Sequence, residues 1–163
     1  METTFDDVLQ ANAAYAETFA LAGLEPRAAR GLAVLTCMDS RIEPLTMLGL
    51  RPGDAKILRN AGARVTNDVL RALVVSTYLL DVDRLMVVAH TKCRMSEEDQ
   101  AVLAAVAAAG GPDALDIPLL AAPDRDAALR SDVEALRSNP DLERLTVGGF
   151  VYDVDTGTLT QIC

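Results

Sequence analysis

Apolar residues recur along this chain in two patterns, one typical of amphipathic helices and one typical of short buried strands. Helical spacing predicts helices over residues 6–22, 66–81, 96–109 and 124–138, with a short helical turn over 45–50. Thr66 and Ser96 stand where a side chain can cap the helix that follows. Apolar runs bounded by turn residues predict strands over 32–37, 55–60 and 83–90. Residues 142–162 predict a strand, a tight turn and a returning strand.

Because predicted strands alternate with predicted helices, the expected fold class is α/β, with a mostly parallel central sheet flanked by helices. The final hairpin is expected to add one antiparallel strand at the C-terminus. The chain shows no internal repeat, no low-complexity tract and no linker, so residues 1–163 are expected to form a single domain. A chain of 163 residues can bury a substantial core.

Composition and charge exclude several functions. Only 4% of the residues are aromatic and none is Trp, so the core must consist of Ala, Val and Leu. Acidic residues outnumber basic ones by 24 to 15, which argues against nucleic acid as a partner. No stretch reaches the roughly 18 apolar residues that span a bilayer. Three cysteines and an acidic N-terminus without a signal-peptide pattern predict a reducing, cytoplasmic setting.

Polar side chains with metal-ligand chemistry follow two of the predicted strands. The run CMDSR (37–41) follows the first strand, and in an extended chain Cys37, Asp39 and Arg41 would share one face. The run HTKC (90–93) follows the third strand. The carboxyl ends of neighbouring parallel strands form the crevice where ligands bind. If these two strands are neighbours, Cys37, Asp39, His90 and Cys93 form a plausible tetrahedral set for Zn²⁺.

Two other interpretations of these residues stay open. A buried thiol pair with a hydrogen-bonded His90 would bind no metal, since free Cys is among the most buried residue types. Four permanent protein ligands would make the zinc purely structural and would leave no position for water. Asp39 decides between the interpretations, because Arg41 can capture it in a bidentate pair and so free a coordination position. Asp39 and Arg41 are therefore the candidate catalytic residues.

The runs CMDSR, RNAG, HTKC and GGFVYDVDTGTL resemble, in order and spacing, the motifs of the β-class carbonic anhydrases. The resemblance extends from about residue 32 to the C-terminus and is to the short members of the class. It implies that Cys37, His90 and Cys93 bind Zn²⁺, and that Asp39 is either the fourth ligand or the partner of Arg41. It also implies a homodimer or a higher homo-oligomer, with the N-terminal helix (6–22) packed on a partner subunit.

The activity that the resemblance implies is the reversible hydration of carbon dioxide, a small-molecule substrate, to bicarbonate by zinc-activated water. Two positions depart from the family pattern: Arg94 replaces a usual Gly, and Ala63 replaces a frequent one. Glycine permits a positive φ or a close backbone approach. Arg94 therefore predicts either a different path for this loop or a side chain that projects into the site.

Two rival functions use the same residues. One is hydrolysis of carbonyl sulfide or carbon disulfide on the same zinc site, which relatives with these ligand motifs perform. The other is a non-catalytic zinc- or anion-binding homologue, in which Asp39 never leaves the metal and Arg94 blocks the pocket. A thiol redox function is the weakest candidate because the chain contains no C-x-x-C pair.

Overall fold

The computed structural model describes residues 4–163 and is built around five strands. They are β1 Leu32–Cys37, β2 Ala55–Asn60, β3 Arg84–His90, β4 Thr146–Tyr152 and β5 Leu159–Gln161. The strands form one sheet in the order β2-β1-β3-β4-β5. All neighbouring pairs are parallel except β4 and β5, which are antiparallel. This arrangement confirms the predicted α/β fold class with its C-terminal antiparallel hairpin.

Within residues 4–163, five α-helices lie between or beside these strands. They are α1 Asp6–Glu17, α2 Pro44–Met47, α3 Asn67–Leu79, α4 Asp99–Ala108 and α5 Arg125–Arg137. The predicted cap at Thr66 is confirmed, because its side chain accepts a hydrogen bond from the Val69 amide. Asp124 caps α5 in the same way through the Ala127 amide.

Several helix boundaries differ from the prediction by a few residues, and hydrogen bonds explain two of the differences. The first helix ends at Glu17 rather than at residue 22, and the Thr18 hydroxyl and amide both bond to the Tyr15 carbonyl. These i→i−3 bonds tighten the last turn and stop the helix, although the sequence stays apolar to Ala22. The predicted cap at Ser96 is wrong: the helix begins at Asp99 after Glu98. The Ser96 amide instead bonds to the Cys93 carbonyl in the turn after that residue.

The two faces of the sheet are covered unequally. The main core packs β1, β3 and β4 against α3 and α5, through residues such as Leu35, Leu73 and Val133. The opposite face holds a smaller buried cluster of Leu32, Val34 and Val88. Its neighbours are only partly buried apolar side chains, namely Met47, Leu48, Leu50, Ala55, Ile57, Met86, Phe150, Tyr152 and Leu159. Sheets of parallel strands are normally buried on both faces, so this second face is incompletely covered.

The topology brings the two polar runs of the sequence together. β1 and β3 are adjacent and parallel, paired in register from Leu32 with Arg84 to Thr36 with Val88. Their carboxyl ends, Cys37 and His90, therefore meet at the same edge of the sheet. Among residues 4–163, no helix combines the length and the apolar character needed to cross a membrane.

Candidate metal centre

Three side chains converge at the carboxyl edge of the sheet. Cys37 ends β1, His90 ends β3, and Cys93 lies in the loop that follows. Their donor atoms all lie within 4.8 Å of one another, and the two sulfurs are 3.9 Å apart. Two thiolates bound tetrahedrally at ~2.3 Å would be separated by about 3.8 Å, so the pair has the spacing that zinc requires.

The His90 ring is oriented for metal binding. Its side chain is 1% exposed, and Nδ1 lies 2.8 Å from the carbonyl oxygen of Thr91, to which it can donate. That bond selects the tautomer whose Nε2 carries a free lone pair, the usual arrangement for a metal-binding histidine. Nε2 is buried and has no hydrogen-bond partner among the described residues. A buried nitrogen that has no hydrogen-bond partner and lies beside two thiols has the chemistry of a metal ligand.

The pKa values of the two thiols are shifted in opposite directions. The hydrogen bond that Cys93 donates lowers the pKa of Cys37 to about 4, against the opposing effect of burial, and the contact with His90 lowers it further. The same hydrogen bond raises the pKa of Cys93, and burial adds to that rise. Burial disfavours the charged imidazole, but the Cys37 thiolate outweighs it and raises the pKa of His90. A thiolate at Cys37 therefore favours a positive charge beside it, whether on His90 or on a metal ion.

Asp39 is bound to Arg41 rather than grouped with the three donors. Arg41 donates from Nε to Asp39 Oδ1 at 3.0 Å and from Nη2 to Oδ2 at 2.7 Å. This guanidinium holds the pKa of Asp39 well below its usual range. Asp39 Oδ2 lies only 3.9 Å from His90 Nε2, so the carboxylate stays close to the donor atoms.

A turn, not a strand, creates the Asp39–Arg41 pair. The expectation that Cys37, Asp39 and Arg41 share a face of an extended chain is wrong, because β1 ends at Cys37. The Asp39 side chain accepts the Arg41 amide at 2.9 Å, and its carbonyl accepts the Ile42 amide at 3.0 Å. Aspartate favours such turns by bonding to the backbone two residues on. The turn folds Arg41 back onto Asp39.

Arg59 supports this segment and was not singled out from the sequence. It lies on β2, and its Nε donates to the Cys37 carbonyl at 3.1 Å. Its Nη2 donates to the Asp39 carbonyl at 2.7 Å. The side chain thus fixes the backbone between the two residues. The one sequence feature that could have indicated this role is the position of Arg59 in the run RNAG.

The other residues of RNAG shape a turn beside Cys37. The Gly62 amide donates to the Cys37 sulfur at 3.4 Å. Gly62 has a φ of 79°, in the region where only glycine is unstrained, and the next residue, Ala63, has a φ of 58°. The second glycine of the family pattern is therefore replaced at a position that still has a positive φ.

Arg94 does not project into the site. Its side chain is 68% exposed and pairs with Glu97 at 3.1 Å. The positive φ of this loop, 53°, falls on Lys92, whose side chain pairs with Asp155 of the C-terminal hairpin. Position 94 therefore has no need of glycine. Arg41 Nη2 also donates to the Lys92 carbonyl at 3.1 Å, which ties the Asp39 turn to this loop.

Two cavities adjoin the donor cluster. One of about 20 Å³, room for about one water, is lined by Gly62, His90 and Cys93 among others. The other is an open cleft of about 530 Å³ lined by His90, Lys92, Ser96, Pro123, Asp124, Arg125 and Asp126. A wider concavity of about 740 Å³ lies where β1, β2 and β3 begin, beside Gly31, Asp54 and Asp83. It is at the opposite end of the strands and takes no part in this site.

These features define an α/β protein whose buried His-Cys-Cys donor set can hold one metal ion at the edge of a parallel sheet. A family model described as carbonic anhydrase matches residues 32–111. Beta-carbonic anhydrase 1 of Mycobacterium tuberculosis is 33% identical over 162 residues, which is 98% of each chain. This chain belongs to the β-class carbonic anhydrase family, which uses zinc.

A solved structure and a second curated relative extend the comparison. A crystal structure of carbonic anhydrase from Streptococcus mutans superposes with a TM-score of 0.89 at 36% identity, covering 100% of this chain and 99% of that one. A carbon disulfide hydrolase of Acidianus is 32% identical over 81% of this chain and 77% of its own length. The family relationship therefore includes relatives with two different substrates.

Proposed function

We propose that this protein catalyses the reversible hydration of carbon dioxide to bicarbonate, with Zn²⁺ held by Cys37, His90 and Cys93. The observation that carries the proposal is the state of Asp39. Its carboxylate is bound to Arg41 on both oxygens, yet lies 3.9 Å from the free nitrogen of His90. Three protein donors then remain for the metal, as in catalytic zinc sites, and Asp39 is an exchangeable fourth ligand.

The chemistry that zinc supplies when bound is the activation of a water molecule for attack on the carbon of carbon dioxide. Asp39 stays ionised because Arg41 lowers its pKa, so it can only accept hydrogen bonds. It can therefore accept a hydrogen bond from the attacking oxygen, which leaves a lone pair of that oxygen directed at the substrate. Arg41 keeps Asp39 in that orientation and off the metal. The reaction consumes one water and yields bicarbonate and one proton.

Release of that proton cannot use a second histidine, because His90 is the chain's only one. The open cleft beside His90 provides the alternative. Asp124 and Asp126 line it, and it is wide enough for water and buffer molecules. Proton transfer through this cleft to bulk water or buffer is the route that we propose.

The test is zinc content and carbon dioxide hydration measured on the same purified sample, by metal analysis and stopped-flow pH change. We expect one zinc per chain and hydration that is lost in Asp39→Ala, with zinc retained. Cys163→Ser should keep both zinc and hydration, because Cys163 packs on the main core and is not part of the donor cluster. Zinc without hydration in both the wild type and Asp39→Ala would favour the non-catalytic binding protein.

A second candidate is carbon disulfide hydrolysis, which the Acidianus relative favours. The same donors and the same Asp39–Arg41 pair would serve it, because both substrates are linear molecules with an electrophilic carbon. Release of hydrogen sulfide, measured beside carbon dioxide hydration on one sample, separates the two. Carbonyl sulfide in the same assay covers the remaining substrate of this type.

The cytoplasmic location stays a prediction.

We further propose that the chain assembles as a homodimer or a larger homo-oligomer through α1. None of the residues of α1 is buried, and it presents exposed apolar side chains, among them Val8 and Leu9 at 56% and 62% exposure, with Phe5 before it at 67%. A helix of 12 residues is marginal in water without packing. The second face of the sheet is incompletely covered and offers an apolar surface on which α1 could pack. If two copies exchanged α1, the helix of each would be buried and the second face of the other would be covered.

A further inference from the structure

Asp132 is a buried carboxylate on α5 that the proposed reaction does not use. It is 9% exposed and is the one acidic residue among the buried polar residues of the described chain, 4–163. Arg64 donates from Nε to Asp132 Oδ2 at 2.7 Å and from Nη2 to Oδ1 at 3.2 Å. The Val65 amide donates to Oδ2 at 3.3 Å. Because the cost of desolvation largely offsets the attraction in such a pair, stability alone does not explain it.

Arg64 closes the turn that begins at Asn60, the last residue of β2. The Asn60 side chain binds both ends of the Arg64 backbone: Oδ1 accepts the amide at 2.9 Å and Nδ2 donates to the carbonyl at 2.7 Å. Arg64 Nη1 also donates to the Leu120 carbonyl at 2.8 Å. The turn is thus fastened to β2, to the segment before α5, and through Asp132 to α5 itself.

The turn carries the amide that contacts the metal site. The Gly62 N–H donates to the Cys37 sulfur at 3.4 Å. An added Cβ on Gly62 would lie 3.3 Å from the Met95 Cβ, so the turn has little room to move on that side. The direction of this N–H depends on the whole turn. Gly62 has a left-handed φ in the middle of the turn, and the hydrogen bonds that fix the turn join Asn60 and Arg64 at its two ends. A hydrogen bond to a thiolate favours its charged form.

We propose that Asp132 and Arg64 are positioning residues of the metal centre, which hold the turn 60–64 so that the Gly62 N–H points at the Cys37 sulfur. The inference rests on the proposed function only in taking Cys37 as a metal ligand. Asp132 acts through Arg64 and the turn, and the two residues set the electron density on sulfur without binding the metal. Loss of such outer hydrogen-bonding partners typically costs 10- to 100-fold in metal affinity or activity.

The test compares the wild-type chain with Asp132→Asn and Arg64→Lys in two measurements. The first is the rate of zinc release to a chelator, and the second is the thiolate-to-cobalt charge-transfer band of the cobalt-substituted protein. We expect Asp132→Asn to release zinc at least about 10-fold faster. Its band should move to lower energy, because a sulfur without its N–H donor gives up charge more easily. Arg64→Lys keeps one donor and should fall between the wild type and Asp132→Asn.

Asp68→Asn is the matched control. It also breaks an Asp–Arg contact, between Asp68 and Arg71 at 2.7 Å, but both side chains are highly exposed on α3. We expect wild-type zinc release and a wild-type cobalt band. A change in this variant equal to that in Asp132→Asn would overturn the inference, because the effect would then not depend on the turn.

The outcomes separate the inference from the proposed function. Wild-type zinc release and spectra in both Asp132→Asn and Arg64→Lys, with only a lower melting temperature, would make the pair purely structural and overturn the inference. Should Asp132→Asn fail to fold, Arg64→Lys and Asp132→Glu decide by the same measurements. A wild-type chain without a thiolate–cobalt band would overturn the metal site and the inference together.

Discussion

Arg41 holds the Asp39 carboxylate with two guanidinium nitrogens, Nε on one oxygen at 3.0 Å and Nη2 on the other at 2.7 Å. The same Nη2 donates to the Lys92 carbonyl, between the second and third donors of the metal site. One side chain therefore links the two loops that supply the site. It also decides whether a carboxylate is available to a metal ion. For this reason, the distinction between a structural and a catalytic zinc site depends on Arg41.

Arg41→Lys should lower kcat/KM for carbon dioxide hydration by about 10- to 100-fold while zinc content stays unchanged. An ammonium group is a single point charge and cannot hold both oxygens of Asp39 as the guanidinium does. Asp39 would then be free to compete for the metal. Stopped-flow hydration and metal analysis give the two values. Arg71→Lys, in the exposed pair with Asp68, is the control and should keep wild-type activity.

Arg94→Gly, which restores the usual family residue, should leave hydration unchanged within about twofold, because an exposed ion pair contributes only ~0–1 kcal/mol. Arg94 is directed toward Glu97 in solvent and has no positive φ for glycine to relieve. Steady-state hydration over a range of carbon dioxide concentrations checks this. A large gain in activity would mean that Arg94 does restrict the site.

The metal-free protein should titrate one thiolate with a pKa of about 4, because Cys37 is stabilised by the hydrogen bond from Cys93. In an unfolded chain the thiol has a pKa of about 8.5. The resulting stabilisation is therefore complete above that value and is lost as the pH falls through about 4. Thiolate ultraviolet absorbance during acid titration measures the ionisation of this thiol. Cys37→Ser should abolish the step, whereas a step that persisted would contradict the assignment; Cys163→Ser should keep it.

The hydration rate should rise on the alkaline side of neutrality. Two thiolate ligands cancel the charge of Zn²⁺, so the reacting water should be less acidic than the ~7 found with three neutral histidines. Rates measured from about pH 6 to about pH 9 test this, and a flat profile would count against the ligand set.

Replacing apolar side chains of the α1 region should disrupt assembly. The double variant Phe5→Ser/Leu9→Ser removes two side chains that are 67% and 62% exposed in the isolated chain. We expect a smaller particle by analytical ultracentrifugation than for the wild type. Ile117→Ser removes an equally exposed side chain, at 68%, from a loop outside α1 and should not change the mass of the assembly. A monomeric wild-type protein would contradict the proposed role of α1.

Much of the fold could be predicted because its elements follow from local patterns. The apolar runs that became β1, β2 and β3 are short and bounded by turn residues, and the helices α3 and α5 carry their own caps at Thr66 and Asp124. The end of α1 could not be predicted. Residues 19–22 are apolar, and the helix stops because of hydrogen bonds at Thr18 that no apolar pattern encodes.

The sequence by itself determined that Cys37 and His90 each end a strand of a mostly parallel sheet, so that the two would meet if those strands were neighbours. The structure made them neighbours, because β1 pairs directly with β3. Only the tertiary structure decided that Asp39 faces Arg41 through a turn, that Arg94 points to solvent, and that Arg59 and Asp132 support the site. The reason is distance along the chain. Arg59 reaches a carbonyl 22 residues away and Arg64 a carboxylate 68 residues away, and such pairs form only after the strands and α5 have packed.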